Sequence, residues 1–250
     1  RLRRLDAGLL CWRPAGRNAA TRRILVTSHR PNLLKFEQLP PEPRQRRSQE
    51  KRKRLKDAAL QLFRSRGYER TSVEQITKRA NLATGSFYQH YRSKQQLLLA
   101  LMDELLAAMG QLSLRPNYSG DVRASLRELL ARGFANDLRY LGAYRAWEEA
   151  VLSDPQMASS QITIRRWTTK RVAVLLTSLQ QWPGARPGVD VPALAQVIDT
   201  LFWSLLAQAV FLTRVELNDW IDAATHLIHH TLFLDPSRGD TLQLTGDSKH

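Results

Sequence analysis

The sequence predicts an all-α fold: a small three-helix unit near the amino end, then a larger helical body. Three observations carry this. Apolar residues recur at helical spacing from residue 55 onward, hydroxyl and carboxylate caps stand just before these stripes, and no stretch shows convincing strand alternation. The expected organisation is a disordered basic extension over 1–47, a helix-turn-helix unit over 48–94, a helical body over 95–234 and a polar tail over 235–250.

Residues 1–47 lack helical periodicity and contain the cluster LPPEPRQRR, the composition of a segment with little to bury. The three methionines are Met102, Met109 and Met157, so this extension reads as a processed fragment or an upstream extension of the reading frame. From Glu50 the pattern changes. Leu55, Ala58, Ala59, Leu62 and Phe63 form one stripe, with Gly67 just past its end where a left-handed cap is wanted. A short second helix over 73–80 turns Val73, Ile76 and Ala80 inward. Its start is marked twice, by Thr71 with Glu74 and by Ser72 with Gln75, either pair making a capping box. Asn81 tolerates a left-handed turn. A third helix is expected over 84–91, and Ser93 with Gln96 caps a fourth running to about residue 112.

The body continues with helices over 121–140 and 142–153. Asp154 and Pro155 supply an N-cap and a first-turn proline for a helix to about residue 181. WPGARPGVD is a loop. Asp190 and Pro192 open an apolar helix to about residue 214, and Asn218 is the expected cap of the last, which runs to about residue 234.

Charge is divided unevenly. Residues 1–54 carry 16 Lys and Arg against 4 Asp and Glu, residues 55–94 carry 8 against 3, and residues 95–250 carry 14 against 16. The chain's net +15 therefore resides in its first 94 residues, a polyanion-binding front end joined to a near-neutral body. A merely solvated surface would spread that excess. The single cysteine, Cys11, excludes an intramolecular disulfide framework or a multi-cysteine zinc site. Leu10 stands where a lipid-attachment box needs a small residue. No apolar run approaches the roughly 18 residues of a membrane span, Arg, Asp or Gln interrupting each. No membrane partner and a cytoplasmic location are expected.

Helix, tight turn and helix within a three-helix unit is the plan that seats its second element in a DNA major groove. At about 100° per residue, Ala83, Phe87 and Tyr91 fall on one side of the third helix and must pack inward. Gly85, Ser86 and Gln89 fall opposite, flanked by Thr84 and Tyr88 on one edge and His90 on the other. Small residues let the backbone approach base edges, Gln89 can pair two-pronged with adenine, and hydroxyls and imidazole can reach phosphates. Double-stranded DNA is the expected partner.

Residues 55–101 resemble the DNA-binding domain of tetracycline-repressor-like (TetR/AcrR) regulators, through AALQLFRSRGYERTS, VEQITKRANLA, GSFYQHYRSK and QQLLLAL. The resemblance implies that Ser72 meets phosphate, that Thr84, Gly85 and Ser86 face bases, that Tyr88 and His90 touch the DNA backbone, and that Lys94 meets phosphate at the start of the fourth helix. It implies a homodimer on a near-palindromic operator, most simply a repressor, with a body that takes a small-molecule effector. Three residues depart from the family pattern: Asn81 for a turn glycine, Ala83 for a serine cap and Thr77 for an alanine at the helix crossing.

In the body, Phe134, Tyr140, Tyr144, Trp147 and Trp167 fit a core or the wall of an effector pocket. No buried acid or base stands out among them, so the expected effector is apolar and uncharged or weakly charged. Leu201, Phe202, Leu205, Trp220, Leu227 and Ile228 cover more than one stripe of the last two helices, an excess that pairing with a second copy would bury. His226, His229 and His230 have a spacing that can chelate, but no carboxylate or cysteine neighbours them, so no metal and no cofactor is expected. Glu148 and Glu149 diverge by about 100° on a helix and read as solvated. No catalytic motif is present, so no enzyme is expected. The alternatives are a nonspecific DNA-binding or architectural protein, favoured by charge alone, and an enzyme with a basic helical front end.

Overall fold

The structure is a computed structural model and describes residues 30–35, 37–41, 44–112, 121–209 and 211–234. Nine helices form among them: α1 (Arg46–Arg66), α2 (Val73–Arg79), α3 (Thr84–Tyr88), α4 (Lys94–Gly110), α5 (Val122–Arg139), α6 (Leu141–Ser153), α7 (Pro155–Leu179), α8 (Val191–Gln208) and α9 (Arg214–Leu232). The described residues hold no strand, only one isolated antiparallel bridge between Ala185 and Phe233. The expected tail lies outside the described residues, Leu234 being the last of them.

Local chemistry sets the helix ends. Of the two capping boxes available before α2, the chain uses Ser72 with Gln75. Thr71 is buried instead, its hydroxyl donating to the Gly67 carbonyl at 2.7 Å. Gly67 ends α1 at φ 84° and ψ 177°, a positive-φ conformation that suits glycine but is extended in ψ rather than the left-handed helical cap expected. Asn81 turns the chain between α2 and α3 at φ 52°, the one positive-φ residue other than glycine among those described. Ala83 supplies no side-chain cap to α3. Asp121, Asp154 and Asp190 cap α5, α7 and α8.

Three expectations change. α9 is capped by Thr213 rather than Asn218, because Thr213 and Glu216 satisfy each other: the Glu216 N–H donates to Thr213 Oγ1 and the Thr213 N–H donates to the Glu216 carboxylate. α8 accordingly stops at Gln208. Residues 30–35 and 37–41, expected to be disordered, pack in part against α4. Arg30 pairs with Asp103 at 2.6 Å, the Gln96 amide donates to Glu37, Arg92 donates to Gln38, and Leu33, Leu34 and Leu39 touch the core. Finally, α8 does have the length and mean hydropathy, 1.2, of a membrane-crossing helix by composition alone; here it packs on α7 and buries Asp199, Trp203 and Leu206.

One core joins the three-helix unit to the body, running from Leu55, Phe63 and Phe87 through α4 to Trp147 and Trp203. A second cluster, with Leu126, Leu176, Ala195 and Ile228, closes the far end. α1 and α6 meet backbone to backbone at Gly142, where a Cβ would stand 1.9 Å from the Leu60 carbonyl oxygen.

Candidate nucleic-acid interface and body cavity

α3 is seated by Phe87 and Tyr91, both fully buried, and by Ile76 of α2. This turns Thr84, Gly85, Tyr88 and Gln89 to the surface, with Ser86 partly covered. Nothing lies within 4 Å of where a Gly85 side chain would begin, so the backbone there is open to close approach. Tyr88 is 53 % exposed although its ring meets the edge of Phe87. Ser72 is exposed at the start of α2. The turn between α2 and α3 is held from α1: the Arg54 guanidinium donates to the carbonyls of Ala80 and Asn81. Thr77 is buried at the α2–α3 crossing, donating to the Glu74 carbonyl and lying 3.5 Å from the Thr84 hydroxyl.

His90 is not where helical spacing placed it. It is 4 % exposed, and its Nε2 has no hydrogen-bond partner among the described residues. α3 ends at Tyr88, and the His90 N–H bonds back three residues to Phe87, so the regular rotation of about 100° per residue no longer applies there. Burial, then the positive Arg52 and Lys51 of α1, hold its pKa below the usual histidine value. Those two bases, which helical patterning did not single out, bring the basic start of α1 beside the end of α3. That start carries no acidic residue in its first turn, while Arg46 and Arg47 are exposed. Positive charge at a helix N-terminus is unfavourable by about 0.3–1 kcal/mol until an anion offsets it.

Lys94 opens α4 but faces inward. Its ammonium donates to the Tyr68 carbonyl at 2.7 Å and lies 4.0 Å from the Tyr68 ring centroid. Burial lowers its pKa, and Glu69 and Glu149 oppose that shift. Burial, with Glu69 and Asp154 nearby, pushes the Tyr68 phenol up to about 12. Glu149 is not simply solvated: from α6 it accepts the N–H groups of Tyr68 at 2.6 Å and Glu69 at 3.2 Å, tying the body to the turn after α1.

The five aromatics expected to line an effector pocket are all buried. Four of them fill the core without lining either apolar cavity. A cavity of about 130 Å³ lies instead among α4, α5, α7, α8 and α9, between Met109, Leu130, Leu175 and Phe202. Contrary to the sequence reading, charged groups stand in its wall: Asp137, Asp199 and Arg171. The signal was present in the spacing, since Asp137 continues the inward stripe of Leu126, Leu129, Gly133 and Phe134. A second cavity, of about 150 Å³, adjoins it between α8 and α9. Phe134 lines this one, together with all six residues assigned to the dimer face: Leu201, Phe202, Leu205, Trp220, Leu227 and Ile228. Leu201, Trp220 and Leu227 are about half exposed, whereas Leu205 and Ile228 are buried. The His226 and His230 ring centroids lie 4.1 Å apart with their planes tilted by 48°, and no metal-holding group of three His, Cys, Asp or Glu occurs among the described residues.

Residues 55–101 match the family model described as bacterial regulatory proteins, tetR family. The chain is 33 % identical over 85 residues to the HTH-type transcriptional regulator AcrR of Shigella flexneri, a match covering 33 % of this chain and 40 % of that protein. Its fold is similar to that of the fatty acid degradation regulator FadR from Bacillus halodurans (TM-score 0.58, 17 % identity, 71 % of this chain and 94 % of that one). It is also similar to SmeT in its triclosan complex (TM-score 0.54, 22 % identity, 74 % and 93 %).

Proposed function

We propose, from the match of residues 55–101 to the tetR family of bacterial regulatory proteins, that the chain is a regulator of that family, binds a near-palindromic DNA operator as a homodimer and leaves it when a small molecule enters the body. The observation that carries this reading is the exposed row Thr84, Gly85, Tyr88 and Gln89 on a helix whose other side is buried, flanked by the basic start of α1. Gln89 and Gly85 are assigned to base edges, with Thr84 and Ser86 beside them. Tyr88 and Ser72 go to phosphate, and Lys94 reaches phosphate on leaving the Tyr68 carbonyl. The division at residues 94 and 95 between reading head and body is functional rather than structural, because the core crosses it.

The α8–α9 groove, with Leu201, Trp220 and Leu227 half exposed, supports pairing with a second copy. α4 supports the coupling. Its 17 residues, about 25 Å of helix, run from Lys94 at the head to Met109 in the cavity wall. A ligand that shifts α4 would change the spacing of the two heads, with a coupling of about 1–3 kcal/mol. SmeT, similar in fold, was solved with triclosan, and repression relieved by a ligand is the reading this supports.

Selecting bound fragments from a random DNA pool tests the proposal. Enrichment of a two-half-site sequence at least about a thousandfold over random DNA is expected; equal binding to all fragments would instead identify an architectural protein. On the selected site, Gln89→Ala should cost about 1–3 kcal/mol and relax specificity at one position, and Tyr88→Ala should weaken all sites alike. Fluorescence anisotropy with matched and mutated sites separates the two.

A further inference from the structure

The cavity among α4, α5, α7, α8 and α9 contains a polar group that the protein itself leaves unsatisfied. Asp137 is wholly buried, yet its Oδ2 has no hydrogen-bond partner among the described residues, and its other oxygen meets only the Asn136 amide at 3.4 Å. A buried carboxyl in that condition is costly unless something supplies a donor. The other charged groups of the wall are already engaged. Asp199 accepts the Thr169 hydroxyl at 3.0 Å and lies 3.6 Å from the Arg165 guanidinium. Arg171 donates to the carbonyls of Met109 at 3.1 Å and Leu112 at 3.0 Å. An anionic ligand would have to strip Arg171 from the end of α4, whereas a cationic one would complete Asp137 and break nothing.

We propose that this cavity takes a lipophilic amine, its ammonium held by Asp137 and its apolar part lying among Leu130, Leu175 and Phe202. The inference rests on the reading of the body as the effector-binding part, and it names the class of effector. The size fits a modest ligand, since a cavity of roughly 150 Å³ accommodates benzene. The adjoining cavity, which shares Leu130, Ile198, Phe202 and Ile228, gives an alkyl chain room to continue. Burial pushes the Asp137 carboxyl up to about 8, so it is largely neutral in the empty cavity at pH 7. The groups facing it are the Tyr144 phenol of α6, Asp199 of α8 and Arg171 of α7, while α4 and α9 offer the apolar Met109 and Ile228. When an ammonium ion enters from water, the carboxylic acid gives its proton to the solvent and the ion pair remains. Charge is balanced inside the cavity, and one proton is released per ligand.

Isothermal titration of the full chain with octylamine, octanol and octanoate at pH 7, without DNA, tests this. Octylamine should bind at least tenfold more tightly than either analogue. Repeating its titration in buffers of different ionisation enthalpy should show proton release that octanol binding lacks. Asp137→Asn, similar in shape, should abolish the preference while leaving octanol affinity in place. Equal binding of the three compounds, no octylamine binding, absence of proton release, or a preference that survives in Asp137→Asn would each overturn the proposal. The proton measurement uses the unaltered chain and so does not depend on the variant folding. With no DNA present, such a failure leaves the operator reading intact. Operator binding titrated separately with octylamine tests that reading alone.

Discussion

Asp137 makes folding stability depend on pH with a definite sign. Its folded pKa, about 8, lies above the ordinary carboxylate value of 3.8, so the folded chain holds a proton that the unfolded chain has released between those values. Its contribution is fully present below 3.8 and is lost as pH rises toward 8, at no more than about 1.4 kcal/mol per pH unit. Asp137→Asn should therefore be little different from the parent at pH 4 and more stable at pH 8, as urea denaturation at both pH values would show; a constant difference contradicts the assignment. Glu149 contributes through hydrogen bonds. Its carboxylate holds two backbone N–H groups beside Gly67, where the chain has no side chain because one would meet that carboxylate. Glu149→Ala should cost about 0.5–1.5 kcal/mol, the net contribution of a typical hydrogen bond, since the Tyr68 amide is only partly buried and the Glu69 amide is exposed to water. It should also raise hydrogen exchange at the Tyr68 and Glu69 amides, and unchanged exchange there would rule the contact out. Neither acid was assigned its role from sequence. Composition does not distinguish a carboxylate facing water from one facing a turn formed more than 80 residues earlier in the chain.

Helices were the most legible level, because each leaves a periodic stripe and a chemical signature at its start. Ser72 with Gln75, Ser93, Asp154 and Asp190 all serve as caps where the pattern placed them. The exceptions have physical causes. α3 is too short for helical rotation to be carried as far as His90, and Thr213 outcompeted Asn218 because it has a glutamate three positions on and Asn218 does not. Thr213→Ala removes the bond from the Glu216 N–H to Oγ1, leaves the backbone bond to the Glu216 carboxylate, and should lower stability by about 1 kcal/mol, seen as a shift in urea midpoint. An equal loss from Asn218→Ala would restore the sequence reading. Which aromatics line a cavity could not be read from periodicity, since the core and the cavity wall present the same stripe. Phe134 and Trp167 differ only in what stands opposite them.

At the scale of the molecule, charge asymmetry and the run FYQHYRSK were sufficient to find the reading head, while the body's architecture rests on contacts between segments far apart in sequence. The amino-terminal extension shows the difference. Its composition suggested disorder, yet Arg30 reaches Asp103 and three leucines settle on the core. Deleting residues 1–47 should consequently lower the Tm as well as flatten the salt dependence of DNA binding. A truncated chain with its full Tm would show that the packing adds nothing, and one with an unchanged salt slope would show that the arm meets no phosphate.

The contact of Gly142 with Leu60 bears on how a signal could cross the molecule. Two helices touching main chain to main chain have no flexible side chains between them to absorb a displacement. Any tilt of α6 must either carry α1 with it or open a gap at that point, so the seam behaves as a rigid pivot rather than a cushion. The reading head is thus geared to the body at residue 142, and a methyl group added there would act as a wedge.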